Sequence, residues 1–84
     1  MATVKLFGAF GDWAGWTERR IEAGTFGALK TALGQMEPRI GERLDHASTM
    51  VIFNETILPR SLRPDDQPVR ADDEIAFGPP FSGG

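Results

Sequence analysis

The residues best suited to chemistry in this 84-residue chain stand at its C-terminus, where Gly83-Gly84 follows Pro79-Pro80-Phe81-Ser82. A C-terminal α-carboxylate is ionised at neutral pH, with an ordinary pKa of about 3.3–3.7, and can attack the α-phosphate of ATP held by another protein to give an acyl adenylate. Two terminal glycines suit that step, because backbone without Cβ atoms threads a narrow channel where a side chain would clash. Phe81 then serves as an apolar anchor just outside the channel. Pro79-Pro80 fixes two φ angles near −65° and steers Gly78 away from helix, so the chain leaves its body as a stiff, extended arm. From Gly78 to Gly84 that arm reaches roughly 20 Å.

The rest of the chain offers little competing chemistry. There is no cysteine, which excludes a thiolate nucleophile, a disulfide framework and a zinc site with Cys ligands. The single histidine, His46, lies among polar residues without a catalytic partner at a useful spacing and reads as a solvated loop residue. Ser82 lacks a nearby base and reads as a spacer in the arm. No metal site and no bound cofactor are expected. Nine Lys+Arg against twelve Asp+Glu give a net charge of −3, the wrong sign for affinity built on neutralising phosphates, so nucleic acid is not an expected partner. Arg60, Arg63 and Arg70 read as a solvated loop, with ion pairing to an acidic partner as the alternative. No apolar run approaches the roughly 18–20 residues of a membrane span and no signal-peptide layout opens the chain, so the expected compartment is the cytoplasm, with no membrane partner.

A body of about 78 residues must hold the arm. With 40% apolar and 25% charged residues, it has the composition of one small globular domain. Thr3 to Phe10 alternate as a strand with Val4 and Leu6 toward the core. Gly11 to Gly15 read as the turn of a hairpin, and Trp16 to Ala23 as its second strand, at an edge where Glu18, Arg20 and Glu22 discourage pairing with other chains. Trp13 and Trp16 read as caps on the small core, with a docking surface as the alternative. Thr25 is placed as the N-cap of a helix whose apolar positions, Phe26, Leu29, Leu33 and Met36, recur until Pro38 stops it.

A short helical turn over residues 38–44 is followed by the strand Met50 to Phe53, a tight turn at Asn54-Glu55 and a short strand at Thr56 to Leu58. Three prolines make residues 59–73 a long surface loop with one helical turn at most. Glu74 to Phe77 form the last strand. One substantial helix covers one face of a mixed sheet and leaves the other open. That open face carries Phe7, Glu74, Ala76 and Gly78, and Phe7 is either a partner contact or an ordinary half-exposed strand residue.

The chain resembles the ubiquitin-like β-grasp sulfur carriers, which include the small subunit of molybdopterin synthase and the sulfur carrier of thiamine biosynthesis. The likeness covers the whole chain. Its most specific stretches are Phe53-Asn54-Glu55-Thr56 and Asp72-Asp73-Glu74-Ile75-Ala76-Phe77-Gly78-Pro79-Pro80-Phe81-Ser82-Gly83-Gly84. The tail is closer to the molybdopterin synthase small subunit. The resemblance implies an α+β, ubiquitin-like β-grasp fold, with a mixed sheet of about five strands and one main helix. Residues 1–78 form its domain and 79–84 its tail.

The resemblance also implies that a ubiquitin-activating-like adenylyltransferase, using ATP, adenylates Gly84, and that a persulfide donor converts it to a thiocarboxylate. The molybdopterin synthase large subunit, or another sulfur-accepting enzyme, then takes the sulfur. Pro79, Pro80, Phe81, Ser82 and Gly83 thread the partners' active sites, while Phe7 and Gly78 belong to the partner surface. On this reading the chain is not a stand-alone enzyme but a sulfur-donating subunit or co-substrate. A protein modifier joined to lysines, and a plain interaction module, are the alternatives. The chain departs from the family pattern at Gly11-Asp12-Trp13, where many relatives have an Arg-Glu-Leu-like segment, at Asp72, where many have Gly, and at Gly78, where a bulky apolar residue is usual.

Overall fold

The computed structural model describes residues 1–46 and 48–79. The chain runs through β1 (Ala2–Leu6), α1 (Ala9–Ala14), β2 (Glu18–Ile21), α2 (Phe26–Met36), α3 (Pro38–Gly41), β3 (Met50–Phe53), β4 (Thr56–Ile57), a 3₁₀ turn (Arg60–Leu62) and β5 (Glu74–Gly78). The strands form one sheet in the order β2-β1-β5-β3-β4. β1 pairs with β2 antiparallel and with β5 in parallel, and β3 pairs antiparallel with both β5 and β4. The last strand is therefore an inner one, bonded on both sides.

Alternation decides what each face carries. Val4 and Leu6 of β1, Val51 of β3 and Ile75 and Phe77 of β5 are buried beneath α2, which contributes Phe26, Leu29 and Leu33. The Phe26 and Phe77 rings stack with centroids 6.1 Å apart. Full burial of each such side chain is worth about 1.5–3 kcal/mol, enough for a few of them to decide the fold. Thr25 caps α2 by accepting a hydrogen bond from the Ala28 N–H at 3.1 Å, and Glu37 and Pro38 close it, as the sequence predicts.

The connection between β1 and β2 differs from the expected hairpin turn. β1 stops at Leu6, β2 spans only Glu18–Ile21, and residues Ala9–Ala14 coil into α1. Phe10 and Trp13, three residues apart, give this short helix an apolar side. Phe10 enters the core and Trp13 packs on it with ring centroids 5.5 Å apart, so the helix brings both rings to one side.

The turn at Asn54-Glu55 has both residues at positive φ, 48° and 70°, the arrangement that matches the twist of a two-residue hairpin. Asn54 holds it. Its Oδ1 accepts from the Glu74 N–H at 2.8 Å, its Nδ2 donates to Asp73 Oδ1 at 2.9 Å, and its own N–H donates to the Glu74 carbonyl. The β3–β4 hairpin is thus fastened to the first residue of β5. Asp73 Oδ2 also accepts the Arg70 N–H at 2.7 Å; this bond first, and the Asn54 bond second, hold its carboxyl below the ordinary 3.8.

Candidate functional site: the root of the C-terminal arm

Because β5 lies between β1 and β3, whatever follows Gly78 leaves from the central strand of the sheet. The Phe7 N–H donates to the Phe77 carbonyl at 3.1 Å, extending the β1–β5 ladder by one bond. Gly78 pairs with Met50. A Cβ built on Gly78 would fall 2.1–2.5 Å from three atoms of the Phe7 ring, so that ring lies directly on the glycine backbone. Phe7 is half-buried and Gly78 buried. The expectation that both share an exposed surface is corrected in one respect: Phe7 stands at the arm end of the open face, and Gly78 is its seat. A bulky residue at position 78 would expel the ring; glycine admits it.

Pro79 is seated by the next residue of the first connection. Gly8 has φ of +61° and ψ of −143°, a conformation essentially confined to glycine, and a Cβ there would come 3.1 and 3.2 Å from Pro79 Cγ and Cδ. The other side of Pro79 faces a small cleft lined by Phe10, Arg43, His46, Ser48 and Thr49. Pro79 is therefore held between two connections before the arm begins. Pro80, Phe81, Ser82, Gly83 and Gly84, the remaining candidate residues, lie outside the described residues.

The open face has two halves. Register and alternation put Met50, Ile52, Ala76 and Ile57 outward on β3, β5 and β4, and Ile57 is 57% exposed. With Phe7 they make an apolar area that reaches the arm root. On the other half Lys5 sits between Glu74 at 2.9 Å and Glu18 at 3.8 Å, tying β2, β1 and β5 together. The hydrogen bond to Glu74 raises the Lys5 pKa above the ordinary 10.5.

Other singled-out residues have structural work. Trp13 carries the guanidinium of Arg39 at 4.2 Å and that of Arg43 at 4.9 Å above its ring, and Trp16 Nε1–H donates to Glu37 Oε2 at 3.1 Å. Both indoles pack against the core, as caps. His46 Nδ1 accepts the Ser48 N–H at 3.1 Å in an exposed turn. Arg63 Nε donates to the Leu58 carbonyl at 2.8 Å. Among the described residues no cluster of His, Cys, Asp or Glu could hold a metal, and no helix is long and apolar enough to cross a membrane.

The 59–73 loop has a use that the sequence does not signal. Gln67 and Asp65 offer their carbonyls to the N–H groups of Phe26 and Gly27 at 2.8 and 2.9 Å, and Val69 N–H donates to the Gly24 carbonyl. Two of the donors that every helix start leaves without partners are thereby satisfied, and Thr25 satisfies a third. The loop is long because it must reach α2 and return to β5. Its length was the only signal available.

Among solved structures, the solution structure of small archaeal modifier protein 1 from Methanosarcina acetivorans is similar, with a TM-score of 0.80 and 24% identity over 99% of this chain and 95% of that one. The crystal structure of small archaeal modifier protein 1 from Haloferax volcanii gives 0.78 and 26% identity over 99% and 98%. A protein from Pyrococcus furiosus assigned as molybdopterin converting factor, subunit 1, gives 0.75 and 19% over 95% and 97%. No curated protein matches. These likenesses show the ubiquitin-like β-grasp fold, as the resemblance implied. The ThiS family model matches residues 4–84, from the first strand through the Gly-Gly arm, and this chain belongs to the ThiS family.

Proposed function

We propose that the protein is a sulfur carrier acting as a co-substrate, with the Gly84 carboxylate as its reacting group and molybdopterin biosynthesis as the destination of the sulfur. A carboxylate oxygen attacks the α-phosphorus of ATP on a ubiquitin-activating-like adenylyltransferase, and pyrophosphate leaves. The outer sulfur of a persulfide then attacks the acyl carbon and AMP leaves; a second thiol of the partner proteins attacks the inner sulfur of the resulting acyl disulfide, its S–S bond breaks, and a partner disulfide forms as the thiocarboxylate is released. This chain has no cysteine, so its sulfur rides on the Gly84 carbonyl and every thiol comes from a partner. A molybdopterin synthase large subunit is the proposed acceptor, and the cytoplasm the proposed place of work.

The observation that carries this reading is the seat at the arm root. Gly8 and Phe7 pack against Pro79 and Gly78 at the end of the central strand, where the Pro79-Pro80 segment begins. Such an anchorage suits an arm delivered into another protein's active site, with the apolar area from Phe7 to Ile57 as the docking face beside it. Deleting Gly83-Gly84 removes no side chain that could fill a core, so the expected result is an unchanged thermal transition and complete loss of ATP–pyrophosphate exchange with the cognate activating enzyme. Retained exchange contradicts the proposal.

A second reading has its own support. The 26% identical structure from Haloferax volcanii is named a modifier protein, and the same activated carboxylate could be joined to lysines of target proteins. Conjugates that survive reducing gels and vanish with the Gly83-Gly84 deletion would favour it.

A further inference from the structure

An activated carboxyl group is exposed to any nearby amine, so the placement of this chain's own amines matters. Of its nine basic residues seven are arginines, whose guanidinium stays protonated at neutral pH and takes no acyl group. The side-chain amines are those of Lys5 and Lys30, and the fold treats them differently.

Lys30, on α2, has a side chain only 15% exposed. Its Nζ lies 2.6 Å from Asp45 Oδ1, in the turn after α3, and 2.8 Å from Asp65 Oδ1, in the 59–73 loop. It also sits 5.1 Å from the centroid of the Phe26 ring. Carboxylates thus flank the ammonium on two sides, and an aromatic ring lies under it. Burial alone would lower its pKa; the hydrogen bonds to Asp45 and Asp65 outweigh burial and raise it above 10.5. Lys5 stands on the open face with a side chain 44% exposed, one close partner in Glu74 and a longer one in Glu18. Exposed pairs of this kind exchange readily with water.

We propose that Lys5 is the chain's side-chain site for acylation by activated carboxyl groups and that Lys30 is withheld from it as a structural cation. The inference rests on the activation of Gly84 proposed above. In the step itself the neutral Lys5 amine attacks the acyl carbon of the adenylate on a second copy. The C–N bond forms, the C–O bond to AMP breaks, AMP leaves, and the proton passes to water. Any side-chain-linked pair of copies therefore joins through Lys5.

The test uses the purified full chain and sulfo-N-hydroxysuccinimidyl acetate, an acyl donor that needs no partner enzyme, with each lysine timed by peptide mass spectrometry. Lys5 is expected to react about tenfold faster than Lys30, a ratio that needs only about 1.4 kcal/mol of extra hold on the Lys30 ammonium. Asp45→Asn with Asp65→Asn should speed Lys30 severalfold and leave Lys5 unchanged, and Asp45→Asn alone, which keeps one carboxylate, should give an intermediate rate. Circular dichroism reports whether each variant is folded. Equal rates at the two lysines of the unaltered chain, or a Lys30 rate indifferent to Asp45→Asn, overturn the proposal. Because the probe carries its own activated acyl group, this outcome is independent of whether Gly84 is ever activated.

Discussion

The arm root and the 59–73 loop are built on opposite plans. At the arm root, close approach does the work: the Phe7 ring on Gly78, and Pro79 on Gly8 at positive φ. In the 59–73 loop, polar bonds do it: carbonyls of Asp65 and Gln67 on the start of α2, Asp65 on Lys30, and Asp73 on Arg70 and Asn54. Arg63, Asp65 and Asp73 spend their polar groups on contacts within the molecule. The described arm root, Phe7, Gly8, Gly78 and Pro79, is uncharged and apolar.

Substitutions can break this contrast. The largest effect is expected from Gly78→Leu, since a Cβ there cannot coexist with the Phe7 ring; overpacking of this kind costs about 1–3 kcal/mol, and here the upper end is expected. The double variant with Phe7→Ala should recover most of that loss in a denaturant titration. Gly8→Ala comes next, at about 2 kcal/mol, because it forces a side chain into a conformation that only glycine tolerates and against Pro79. Both should also slow activation of the arm by more than their effect on folding explains, as read from kcat/KM for ATP–pyrophosphate exchange.

Thr25→Ala, on the polar side of the comparison, should cost about 1 kcal/mol through loss of the α2 cap. It should leave activation unchanged in the same exchange assay. The smallest effect concerns Asp73. Its folded-state pKa lies below the ordinary 3.8, so the stability it lends is full above that value and is lost as pH falls through the lowered one. Asp73→Asn should therefore flatten the acid limb of the stability curve by slightly lowering stability at neutral pH while leaving the most acid end nearly unaffected, as melting temperatures measured from neutral into the acid range would show.

Much of this was legible in the amino-acid order. The strands, the helix from Phe26 to Met36 and the hairpin at Asn54-Glu55 announce themselves by period, by Thr25 and Pro38, and by the turn preference of Asn. The chemistry proposed for the arm rests on residue types alone, since Pro80 to Gly84 lie outside the described residues. α1 was not legible, since six residues are too few to establish a helical period and Gly8, Gly11 and Gly15 mimic a turn. Nor was the Phe7–Gly78 contact, which depends on the parallel register of β1 and β5, residues far apart in sequence. The clamp of the 59–73 loop on α2 left no trace beyond the loop's length because backbone carbonyls make it, and any residue supplies those.

The central claim is that Gly84 carries sulfur, and the intact mass of the protein tests it most directly. The protein is purified gently from its native host, or incubated with the cognate activating enzyme, ATP and a sulfur donor. The account predicts a gain equal to one oxygen replaced by sulfur, localised to Gly84 by fragmentation and absent when Gly83-Gly84 is deleted. An unchanged mass beside a demonstrably active enzyme would contradict it.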